Sequence, residues 1–278
     1  MLTTPERMRS LGACTLAALI IFSTCLLGCA GSRTPKVPMD STFDFALPHE
    51  AGPRRAPVLL VMLPGAYDTP RDFIQQGFVE AVRERGLDVD LQLVDAHVAY
   101  YTGQTILERL QHDVIEPARQ QGYAQIWLAG ISIGGMGSLV YTATHPSDIT
   151  GVVALAPYLG PRNISVDVVR AGGLRSWPAQ VQSLPEDDID RRLWLWLKSR
   201  AWPDSAQTQP LLYWGYGVSD RFAIGHKVVA ESMPADKVFT VEGGHDWPAW
   251  IALWRQMLDQ LPLPKLTAPG GANAPAVP

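Results

Sequence analysis

One serine stands between two glycines in the run Gly130-Ile131-Ser132-Ile133-Gly134, a G-x-S-x-G pattern. A serine hydroxyl is a weak nucleophile near neutral pH and attacks only when a neighbouring base takes its proton. Histidine is the usual base, and an acid behind it fixes its tautomer and steadies its positive form. Of the 6 histidines, two of those that follow Ser132 are candidates for the base. One is His226. The other, His245, lies in Glu242-Gly243-Gly244-His245-Asp246-Trp247, where the glycines allow a tight loop. Asp220 closes Tyr216-Gly217-Val218-Ser219-Asp220. Asp246 is a poor partner for His245 because adjacent side chains diverge, and Asp187, Asp188 and Asp190 read as the solvated start of a helix.

Such groups need rigid elements to bring them together. Val58 to Leu63 is an unbroken apolar run, as a strand buried on both faces requires. A helix is expected over Asp72 to Arg85, a strand over Val89 to Val94 and a helix over Ile106 to Gln121. A strand over Gln125 to Ala129 then runs into the serine motif, and a helix rich in small residues (Gly134, Gly135, Gly137, Ser138) leaves it. Further strands are expected at Val152 to Leu155, Leu211 to Trp214 and Lys237 to Val241, with a closing helix over Ala249 to Leu261. Phe43, Phe45 and Leu47 alternate as in an edge strand. Residues 158–207 break the rhythm and hold one helix candidate, Asp187 to Trp202. Alternating strands and helices imply a parallel sheet with helices on both faces.

The strand, sharp glycine turn and helix around Ser132 resemble the nucleophile elbow of the α/β-hydrolase family, and the resemblance extends over residues 55–260. It implies an α/β-hydrolase fold: a mostly parallel central sheet flanked by helices, with a small helical cap insertion at about residues 158–207. It also implies the order nucleophile, acid, base, and hence Ser132, Asp220 and His245; His226 is the weaker candidate for the base. The oxyanion donors would be the N–H groups of Ile133 and, from the Pro64-Gly65-Ala66-Tyr67 loop, Ala66, with Tyr67 in reserve. That loop is similar to the family's His-Gly-x loop with Pro64 in place of histidine, a departure that spares a backbone donor. Gly-Gly-His-Asp-Trp-Pro-x-Trp further resembles the enterochelin-esterase and esterase-D branch. In a cap, Trp177, Trp194, Trp196 and Trp202 would line an acyl or aryl pocket; as packing residues they would touch no substrate.

The implied activity is hydrolysis of a small-molecule carboxylic ester through an acyl-enzyme, with no cofactor and no metal. The alternatives are a thioesterase or peptidase with the same three residues, or a non-catalytic binding lipoprotein on the same fold. A net charge of -4 without a basic stretch argues against a nucleic-acid partner.

The N-terminal segment reads differently. Arg7 and Arg9 precede an uncharged apolar run from Leu11 to Leu27, a secretory-signal layout. The run spans about 17 residues, fewer than the roughly 20 of a membrane helix. Leu26-Leu27-Gly28-Cys29 resembles a bacterial lipobox, which implies a signal peptide over 1–28, lipid on Cys29 and an exported protein anchored in the cell envelope. Ala30 in the next position mildly favours the outer membrane. All 3 cysteines lie in this segment, which excludes a disulfide framework in the body. Residues 29–54 read as a tether, 55–261 as the hydrolase domain and 262–278 as a disordered tail.

Overall fold

The computed structural model describes residues 33–47, 55–178, 188–201 and 210–267. The chain divides into Met1–Thr34 and Pro35–Pro278, and the account below concerns the second unit. The expected signal peptide and Cys29 lie outside the described residues, as does Trp202.

Seven strands make one sheet in the order β1-β3-β2-β4-β5-β6-β7. They are β1 (Ser41–Asp44), β2 (Val58–Leu63), β3 (Val89–Val94), β4 (Gln125–Ile131), β5 (Gly151–Leu155), β6 (Leu211–Gly217) and β7 (Val238–Val241). Only β1 runs antiparallel, with Phe43 opposite Gln92 on β3; the other pairs are parallel. The helices are α1 (Pro70–Gln75), α2 (Phe78–Glu84), α3 (Val98–Thr102), α4 (Ile106–Leu110), α5 (Glu116–Gln120), α6 (Ile133–Thr144), α7 (Arg162–Arg170), α8 (Ile189–Ser199), α9 (Ala223–Ala230) and α10 (Trp247–Leu258).

The apolar run of β2 divides between two cores, because successive strand residues point to opposite faces. Leu59, Val61 and Leu63 join a cluster with α4, α6, α8 and α9 residues. Val58, Leu60 and Met62 join one built from α1, α2 and α10. There Trp254 is fully buried and its indole N–H donates to the Phe78 carbonyl at 3.0 Å. The sheet is thus covered on both sides, as a parallel sheet must be.

Four expectations are corrected. The helix expected over Asp72 to Arg85 is two helices, because Gly77 between them has φ +79°. The helix expected over Ile106 to Gln121 widens into a π turn at Gln111–Ile115. Pro117 explains it: proline has no N–H, and in a regular helix its ring meets the carbonyl four residues back. The tether assigned to 29–54 already contains β1 and the buried Met39. Asp90 on β3 fixes its far end, accepting from Ala46 N–H (2.9 Å), Ala56 N–H (3.2 Å) and the Tyr123 hydroxyl (2.9 Å). The expected disordered tail is ordered as far as it is described: Leu266 N–H donates to Gly86 O at 2.8 Å and Leu263 is buried.

The insertion between β5 and β6 holds α7 and α8. Trp177 and Trp194 are buried core residues, packed edge to face at 6.5 Å, and the Trp194 indole donates to Leu159 O at 2.8 Å. They pack the insertion onto the sheet. Trp196 faces a surface cleft of about 510 Å³ shared with Leu107, Val140 and Leu193.

Candidate active site

Ser132 follows β4 directly and caps α6 with φ +53° and ψ -116°, a conformation that a side-chain-bearing residue adopts only under constraint. The constraint is visible. Ser132 N–H donates to Leu155 O at 3.0 Å, and its carbonyl accepts from Met136 N–H (3.0 Å) and Tyr158 N–H (2.8 Å). Ala156, also at positive φ (+45°), is held in turn by its N–H on Gly215 O at 2.7 Å. Bonds of this kind offset a backbone cost of about 1–3 kcal/mol per strained residue.

His245 sits in the loop between β7 and α10. Its Nε2 lies 2.9 Å from Ser132 Oγ, and its Nδ1 lies 2.7 Å from Asp220 Oδ2. A carboxylate at Nδ1 assigns the ring proton to that nitrogen and leaves Nε2 to accept the serine proton. Phe222 and Trp250 hold the imidazole edge to face at 5.0 and 5.2 Å, so its plane is set by packing as well. Asp220 is buried. Burial alone would raise its pKa, yet the bond to His245 and the Phe222 N–H at 2.7 Å bring it below the ordinary carboxylate value. It stays ionised behind the histidine. The two loops meet closely: Ser219 N–H donates to Gly243 O at 3.0 Å, and a Cβ on Gly217 would collide with the Gly243 and Gly244 carbonyls.

His226, the other candidate for the base, is fully buried on α9. Its Nε2 donates to Pro157 O at 2.9 Å and its ring packs on Trp214 and Tyr216. Burial lowers its pKa, so it is a neutral structural group and not the one placed over Ser132.

Ile133 begins α6, and its N–H has no acceptor within the helix. The loop after β2 comes against the serine: a Cβ on Gly65 would lie 3.9 Å from Ser132 Cβ. That loop is a turn closed by Asp68 N–H on Gly65 O at 3.2 Å, with Ala66 and Tyr67 at its centre and the Tyr67 side chain exposed. Sequence reasoning passed over Asp68, Phe222 and Tyr158, all of which border the site. Their signal is positional: each lies within three residues of a segment already singled out. Among the described residues, no group of three or more His, Cys, Asp or Glu side chains is placed to hold a metal ion.

A mostly parallel seven-stranded sheet with a strained serine between β4 and α6 defines an α/β hydrolase. Residues 100–261, more than half of the chain, match the Esterase family, described as "Putative esterase", and the chain belongs to that family. Solved structures share the fold at low identity. A fluorophosphonate-binding serine hydrolase of Staphylococcus aureus superposes with TM-score 0.55 at 12% identity, covering 80% of this chain and 91% of its own. A ferulic acid esterase gives 0.54 at 15%, covering 78% and 90%. An S-formylglutathione hydrolase of Staphylococcus aureus gives 0.51 at 13%, covering 72% and 79%. No curated protein sequence matches the chain.

Proposed function

We propose that the chain is a serine hydrolase that cleaves carboxylic esters through an acyl-enzyme. The observation that carries this reading is the hydrogen-bonded series from Ser132 Oγ through His245 to Asp220, at 2.9 and 2.7 Å. Ser132 Oγ attacks the ester carbonyl carbon as His245 Nε2 takes its proton. The oxyanion of the tetrahedral intermediate is met by the N–H groups of Ile133 and Ala66. His245 then returns the proton to the departing alkoxide, leaving an acyl-serine. Water attacks that ester in the same geometry, with His245 again the base, and releases the acid. Asp220 carries the imidazolium charge through both halves. Every proton and bond in this cycle is handled by side chains and backbone, so the chemistry calls for no cofactor.

The test is covalent. The full-length protein in detergent should be labelled by a fluorophosphonate on Ser132, and Ser132→Ala should abolish both labelling and turnover of p-nitrophenyl acetate. Labelling that survives in Ser132→Ala overturns the assignment.

We further propose that the protein is an exported lipoprotein held in the bacterial cell envelope, with preference for the outer membrane, by lipid on Cys29. The support is the charged start, the short apolar run and Leu26-Leu27-Gly28-Cys29. Incorporation of a fatty-acid probe in cells should be lost in Cys29→Ala; unchanged incorporation would remove the anchor.

A further inference from the structure

The strands from β2 to β7 run parallel, so their C-terminal ends make one edge of the sheet. The site stands on that edge: Ser132 follows β4, Asp220 lies three residues beyond β6 and His245 four beyond β7. β1 runs the other way, so the polypeptide arrives at the same edge. Ser41, its first residue, pairs with Val94, the last of β3. Just before it, Asp40 O accepts from Asp95 N–H at 2.8 Å. Lys36 is held at α3, which begins four residues after β3. Its N–H donates to the Tyr100 hydroxyl at 2.8 Å, and that hydroxyl donates to Lys36 O at 3.1 Å. Seven residue steps separate Lys36 from Cys29, a reach of at most about 25 Å. A folded domain of this length is about 45 Å across. The tether is therefore too short to run down the side of the domain to the opposite edge.

We propose that the active-site edge faces the lipid surface that holds Cys29, and that the ester it cleaves is drawn from that surface: an amphiphile with a long acyl chain and its ester at headgroup depth. This rests on the proposed lipid at Cys29 and on the proposed chemistry of Ser132. Exposed apolar side chains on the same edge fit such a surface. Tyr67, in the loop after β2, is 91% exposed. Val218 follows β6 directly and Ile224 lies in the first turn of α9, both with exposed side chains. Single exposed apolar residues mean little on their own; here they share the edge at which the tether arrives. Arg221, exposed between Val218 and Ile224, adds a positive charge that anionic headgroups attract. Binding at a bilayer surface grows with buried apolar area and with such charges.

All 3 cysteines lie within residues 1–29, so one introduced beyond them is a single probe site in the lipidated protein. Val218→Cys marks the active-site edge, and Ser147→Cys, exposed in the turn before β5, marks the opposite edge. Each full-length lipoprotein is labelled with bimane and reconstituted on vesicles of phosphatidylethanolamine and phosphatidylglycerol carrying a headgroup-level nitroxide. Bimane at 218 should be quenched at least about threefold more than at 147, because the two edges of the domain stand about 45 Å apart. Equal quenching, or stronger quenching at 147, overturns the orientation. The substrate class is tested by inserting a flexible linker of about 30 residues between Gly31 and Ser32, which dilutes the site relative to the surface. Turnover of p-nitrophenyl palmitate held in the vesicles should fall about tenfold, while turnover of dissolved p-nitrophenyl acetate should stay within about twofold of wild type, since the triad is untouched. Unchanged palmitate turnover overturns the surface-borne substrate. Wild-type protein that takes up no fatty-acid probe would instead fell the anchor and the orientation together. Quenching as expected without fluorophosphonate labelling of Ser132 would fell the hydrolase reading and keep the orientation.

Discussion

Replacing His245 by alanine is expected to lower kcat on p-nitrophenyl acetate by about 10⁴–10⁶-fold with little change in KM. The imidazole is the sole base within reach of Ser132 Oγ among the described residues, at 2.9 Å, and its proposed part is proton transfer in the chemical step, which kcat reads. His226→Gln is the matching control. It keeps an N–H donor for Pro157 O and should retain turnover to within about tenfold, because His226 acts on the site through packing. Its effect belongs to stability. The folded pKa of His226 lies below the ordinary value, and its Nδ1 is buried without a hydrogen-bond partner. As pH falls, the unfolded chain therefore binds the proton first. Stability is full above the unfolded pKa and declines from about pH 6.5 downward, at up to about 1.4 kcal/mol per pH unit, until the folded imidazole itself is protonated. Melting curves over that range should slope for wild type and flatten in His226→Gln. Turnover lost in His226→Gln but kept in His245→Ala would reverse the assignment of the base.

The contrast between the two histidines shows what the sequence can carry. His245 was legible because it stands in a glycine loop between the last strand and the last helix, positions that periodicity and breaker residues mark on their own. The parallel strands were legible for the same reason: β2 is apolar throughout and bounded by Pro57 and Pro64, and β3 follows the helix-closing Gly86. The insertion was not. Trp177, Trp194 and Trp196 carry one residue type and two environments, two of them in the core and one on a surface cleft. Hydrophobicity cannot separate a core from a pocket, since both remove apolar surface from water. Nor could the packing of Trp247 on Phe73 and Phe78 be read, because the contact joins segments far apart in the chain through side chains alone. Local pattern reports what a segment prefers; such contacts depend on where two rigid pieces come to rest.

Gly134→Ala should destabilise the protein by about 3 kcal/mol, near the upper end of overpacking costs. For a domain of this size that lowers the melting temperature by about 6–12 °C. The added Cβ would collide with the Leu63 and Pro64 carbonyls, where β2 gives way to the loop of the proposed oxyanion donor Ala66. Both obstacles are backbone, so α6 must retreat from β2, and Ser132 at its cap must move away from Ala66. A misplacement of about 1 Å at reacting groups costs on the order of 100-fold in rate, so kcat should fall by about that much in whatever protein remains folded. Gly137→Ala on the same helix separates this from a general dislike of alanine. Its Cβ would meet the hydroxyl end of Tyr101, a side chain that can yield, and alanine gains about 1 kcal/mol over glycine within a helix. The variant should melt within a few degrees of wild type and keep its turnover. Equal melting and equal kcat for the two variants would mean that the close approach of α6 to β2 is not what seats the nucleophile.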